Sequence, residues 1–94
     1  MTDLYSSKPI VREYNGGRAE VTDIARSRNA VEKCGERVII MRWLDDTPEH
    51  PAGTVTAKHI KGNAWRAPSK FMRYDERVIT GDPMDYARER LCPA

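Results

Sequence analysis

The run "RVIIMRWL", residues 37–44, limits what this chain can fold into more than any other stretch. It is rich in β-branched residues and nearly continuous in apolar ones. Gly35 bounds it on one side and Asp45-Asp46-Thr47-Pro48 on the other. A continuous apolar strand has to be covered on both faces, so this run belongs at the centre of a sheet, with Trp43 in the core. The other elements are then read as its neighbours and its cover.

"KPIVREYNGGRAEV" reads as a β-hairpin. Asn15-Gly16 suits a type I′ turn, in which both central residues take positive φ. That loop sets Tyr14 against Gly17, Glu13 against Arg18, Val11 against Glu20 and Ile10 against Val21. A Gly16-Gly17 loop would set Glu13 against Glu20, and directly opposed like charges disfavour it. "TDIARSRNAVEKCG" is expected to be helical, capped at its start by Thr22 or Ser27 and closed by a left-handed Gly35. Its wording suggests a helix-turn-helix, but the turn residues that would separate two helices are missing.

Beyond the loop "DDTPEHPAG", the stretches "TVTAKHI" and "AWRA" are expected to form a second hairpin around Gly62-Asn63, a type II′ signal. "DERVIT" at 75–80 is a last short strand. "GDPMDYARERL" carries a helix start, with Asp82 as cap, Pro83 at the first helical position and Asp85 in the first turn. Met84, Ala87 and Leu91 share one helix face, and Arg88 and Arg90 lie late, where the helix dipole favours cations. The expected fold is a single α+β domain over 1–94. It has a small, mostly antiparallel sheet of two hairpins plus a central strand, one helix after the first hairpin and a short C-terminal helix.

In the second hairpin that register pairs Ile60 with Trp65, His59 with Arg66, and Lys58 with Ala67. Alternation then turns Ile60 and Trp65 toward the core and leaves His59, Lys61 and Arg66 on an outer rim, with Lys58 snorkelling at an edge. Lys70, Arg73 and Tyr74 follow in the chain. His59, Lys61, Arg66, Lys70, Arg73 and Tyr74 are therefore the expected partner-binding residues.

Sixteen Lys and Arg against fourteen Asp and Glu give a net charge of only +2, which is low for a dedicated nucleic-acid binder. Cationic side chains near 58–70 beside the acidic loop at 45–49 make a mixed-sign surface, which suits a protein interface. The expected function is a non-enzymatic module that docks onto a larger protein as a small regulator or stoichiometric inhibitor. The alternatives are a nucleic-acid binder using the basic hairpin, and a metal-independent ribonuclease drawing on the same cations. Homodimerisation through an exposed sheet edge is a further expectation.

No cofactor or metal is expected. His50, His59, Cys34 and Cys92 match no compact zinc spacing. Asp45, Asp46, Glu49 and His50 lack the spacing and turn glycine of a calcium loop. No Gly-x-Ser-x-Gly elbow or phosphate-cradling glycine loop occurs. Two distant cysteines, an opening stretch without an apolar centre and no long apolar run point to a cytoplasmic protein away from membranes.

Overall fold

The computed structural model describes residues 4–14, 16–32, 35–60 and 76–92. The elements are β1 (Tyr5–Ser6), β2 (Ile10–Tyr14), β3 (Gly17–Ala25), α1 (Arg28–Glu32), β4 (Arg37–Trp43), β5 (Val55–Ile60), β6 (Glu76–Val78) and α2 (Pro83–Leu91). Among the described residues six strands form one sheet ordered β1-β3-β4-β5-β6, and each of their pairings is antiparallel. β2 also pairs with β3, further along the edge that carries β1. The fold is α+β, with β4 in the middle of the sheet.

Pairing of β4 with both β3 and β5 fixes two faces. One face carries Ile24, Val38, Ile40 and Ala57, and α2 covers it with Ala87 and Leu91. The other carries Ala19, Met41 and Trp43, with Val21 and Ile39 packed against them. Trp43 is buried, and its indole N–H donates to Thr56 Oγ1 at 3.3 Å. That bond satisfies two polar groups that would be costly to bury alone.

The first hairpin adopts the expected register: Tyr14 pairs with Gly17, Glu13 with Arg18, Val11 with Glu20 and Ile10 with Val21. Gly16 has φ of 114°, a region costly for any residue with a Cβ. Gly17 serves a different need. A Cβ there would lie 3.0 Å from Thr47 Cγ2 and 3.2 Å from Asp45 Cβ, so the turn rests directly on the loop after β4.

Between β1 and β2, Ser7, Lys8 and Pro9 span the gap opposite only Thr22 and Asp23, an extra residue in the manner of a bulge. Ser7 N–H donates to Asp23 O, and Ser7 Oγ accepts from Asp23 N–H.

The helix expected from Thr22 is shorter and later. β3 runs on to Ala25, because Thr22 and Ile24 pair with Ile40 and Val38 of β4 while β1 holds the opposite side. Sheet pairing on both sides outweighs a weak local helical preference. α1 starts after Ser27, whose Oγ accepts from Ala30 N–H at 3.2 Å. Gly35 N–H donates to Ala30 O, but Gly35 does not take the left-handed conformation expected of it.

The second hairpin also differs. Lys58 lies between Ile39 of β4 and Glu76 of β6, so it is not at an edge. The Gly62-Asn63 turn and its 64–67 strand lie outside the described residues.

α2 matches its expected signals. Asp82 Oδ1 accepts from Met84 N–H at 2.9 Å, Pro83 opens the helix, and Arg88 and Arg90 occupy its last turn. Ala87 and Leu91 are fully buried. We expect Leu91→Ala to destabilise the protein by about 2–5 kcal/mol through the cavity it leaves under the sheet. Asp82→Ala should cost about 1 kcal/mol through the lost cap. Urea denaturation of each variant measures both effects.

Candidate protein-docking surface

His59 is the one expected partner-binding residue within the described set. Lys61, Arg66, Lys70, Arg73 and Tyr74 lie outside the described residues, as does Trp65. Ile60 is buried, and His59 points to the opposite sheet face, as alternation requires. That face is not an open rim, because it is the one α2 covers. The His59 side chain keeps only 15% of its exposure and meets Glu36 at 2.7 Å. A carboxylate only accepts, so His59 Nε2–H donates to Glu36 Oε2.

Arg26 completes this cluster. Its guanidinium bonds Glu36 Oε1 at 2.8 Å, and its Nε–H donates to Leu91 O at the end of α2. The cluster therefore ties β3, the start of β4, β5 and the C-terminus of α2 together. Burial would raise the Glu36 carboxyl, but the hydrogen bond from His59 and the charge of Arg26 hold it below its ordinary value of 4.5. His59 thus has a structural partner on the helix side of the sheet. No sequence spacing marks this cluster, since tertiary pairing alone brings its members together.

The acidic loop is stitched in a similar way. Asp45 receives the Arg18 guanidinium at 3.0 and 3.1 Å and the Arg18 backbone N–H at 3.0 Å. The Arg18 side chain, then its amide, hold Asp45 below the usual carboxylate range. Asp46 Oδ1 accepts from Ala52 N–H. Thr47 and His50 close a tight turn, with Thr47 N–H donating to His50 O and His50 N–H to Thr47 Oγ1. Both aspartates thereby shape the loop. Among the described residues no three His, Cys, Asp or Glu side chains gather where they would hold a metal ion.

An aromatic row crosses the sheet end beside this loop. Tyr14 and Trp43 have ring centroids 5.6 Å apart, and Trp43 and His50 lie 6.0 Å apart. Tyr14 continues onto β2, where all five residues are exposed. Ile10 keeps 55% of its exposure, Val11 53% and Tyr14 39%. Adjacent apolar residues on an outer strand place apolar surface on both faces of the edge. Arg12 and Tyr14 also line a shallow hollow of about 410 Å³ on the face away from α2, floored by Val21, Ile39 and Met41.

The backbone of β2 adds a second feature. Arg18 O accepts from Leu44 N–H, so Arg18 aims its polar groups at the β4 side. Antiparallel pairs alternate between bonded and non-bonded, so Glu13 opposite Arg18 directs its N–H and C=O away from β3. Val11 does the same two residues earlier, while Ile10, Arg12 and Tyr14 bond inward. The free edge thus offers the amides and carbonyls of Val11 and Glu13.

Sequence reasoning fixed the hairpin but passed over its edge. The available signal was "IV", two adjacent apolar residues that alternation must send to opposite faces of the strand before the Asn15-Gly16 turn.

Comparison with protein-family models, with curated proteins and with solved structures finds no match to this chain. No helix among the described residues is long and apolar enough to cross a membrane.

The depressed Glu36 carboxyl gives folding a pH dependence of definite sign. Its stabilisation is complete above the unfolded value near 4.5 and is lost as pH falls through the lower folded value. Thermal melts of the wild type and Glu36→Gln between about pH 3 and 6 should show a shallower acid decline in the variant.

Proposed function

We propose that the protein is a non-enzymatic binding module that docks onto a larger protein, as a small regulator or stoichiometric inhibitor. The docking surface is β2 with the adjoining hollow on the sheet face away from α2. One observation carries this reading: Ile10, Val11 and Tyr14 stand exposed together on a strand whose outer backbone groups point away from the sheet. Clustered apolar side chains on a protein surface are costly to hydrate and mark interaction sites. Charged neighbours of both signs, Arg12 and Glu13 on the strand and the Arg18–Asp45 pair beside it, supply a polar rim. Tyr14 is the anchor best suited to a partner pocket, since a tyrosine adds large contact area at little entropic cost.

Lys61, Arg66, Lys70, Arg73 and Tyr74 remain part of the proposal on sequence grounds, as a basic segment following β5. His59 is assigned instead to holding α2.

The experiment is crosslinking in native extract, with and without nuclease, using the wild type and an Ile10→Asp/Tyr14→Ala double variant. The expected outcome is a nuclease-insensitive protein adduct that the double variant reduces at least about tenfold. Loss of the adduct on nuclease treatment, an adduct indifferent to the double variant, or cleavage of RNA in metal-free buffer would overturn the reading.

A further inference from the structure

The edge of β2 is complementary to itself in one register, and we propose that a second copy of this chain closes it in the free protein. The inference rests on β2 being a docking edge, as proposed above. It adds that the occupant competing with any other partner is the same strand, added antiparallel about a twofold axis.

The register follows from symmetry and charge. A twofold axis normal to the sheet keeps each face continuous across the join, so the axis must pass through a residue paired with its own mate. Centring on Arg12 opposes two guanidinium groups, and centring on Glu13 opposes two carboxylates. Centring on Ile10 sets Arg12 against Lys8 of the second copy, again like against like. Centring on Tyr14 leaves most of β2 unpaired.

Only the Val11 centre avoids these conflicts while using the strand. Val11 meets Val11 of the second copy, and its N–H and C=O already point outward, so the central pair forms two hydrogen bonds. The aliphatic stem of Arg12 lies beside Ile10 of the second copy. Glu13 falls opposite Pro9 of the second copy, where proline has no N–H to donate and ends the ladder. The axis thus sits among the Ile10 and Val11 side chains, which are 55% and 53% exposed in the single chain.

A join of one short strand covers less than the ~800 Å² per partner of a standard interface, so the association is weak. The dissociation constant should fall at about 10 μM to 1 mM. Self-pairing at that strength would leave the edge available to a tighter partner while shielding it at high concentration.

The test is sedimentation equilibrium and amide hydrogen exchange on the purified chain across that concentration range. The expected result is a dimer at high concentration, with the Val11 and Glu13 amides newly protected. The Ile10, Arg12 and Tyr14 amides should be protected already in dilute solution, because they bond to β3. Val11→Lys places two cations on the axis and should weaken dimerisation at least about tenfold, while Val11→Thr retains it. Both variants change an exposed side chain, and thermal melts check that each is folded.

A chain that stays monomeric to about 1 mM would overturn the proposal. So would a dimer untouched by Val11→Lys, or one that protects amides elsewhere. If the chain stays monomeric yet still forms the nuclease-insensitive adduct, self-pairing alone fails and the docking reading stands.

Discussion

Everything in this fold hangs on β4 being hydrogen-bonded on both sides and carrying buried apolar residues on both faces. Its alternation sends Val38 and Ile40 to one side of the sheet and Met41 and Trp43 to the other. Because β3 and β5 pair along nearly its whole length, those faces extend across three strands. The apolar surface this creates cannot be left to water, so each face needs a cover. α2 covers one with Ala87 and Leu91.

The helix is held in place as well as packed. Arg26 reaches from the end of β3 to the last carbonyl of α2 and to Glu36, and Glu36 in turn accepts a hydrogen bond from His59. An arginine at a helix C-terminus meets the negative end of the helix dipole and one of its unpaired carbonyls. Glu36 neutralises Arg26 and accepts from the His59 ring N–H, so the polar edge of the partly buried His59 is satisfied. This network sits on the far side of the sheet from the hollow lined by Arg12 and Tyr14.

β2 is joined to the rest through β3 and through its turn resting on the loop after β4. Gly17 allows that contact, and the Arg18–Asp45 pair ties the two together at their exposed edge. Such an exposed ion pair contributes little stability by itself, but its fork-like geometry orients the loop. The loop then positions His50 against Trp43, and Trp43 against Tyr14. The exposed apolar strand is therefore carried on a braced end of the sheet, which lowers the ordering cost of any partner binding there.

Much of this was legible in the amino-acid sequence, because the signals were local. The Asn15-Gly16 turn and the opposed charges on its strands set the first hairpin's register. Asp82, Pro83 and the late arginines set α2. The unbroken apolar run set the central strand. These features act between near neighbours, so one stretch of chain is enough to read them. The rest depended on residues far apart in the chain. β3 could become a strand through Ala25 only because β1 and β4 were there to pair with it. His59 alternated correctly against Ile60, but which face would be solvent was decided by where α2 packs. Alternation assigns residues to faces, while only tertiary packing chooses which face is covered. That is why His59 joined Arg26 and Glu36 beside the helix, and the exposed apolar surface emerged at β2.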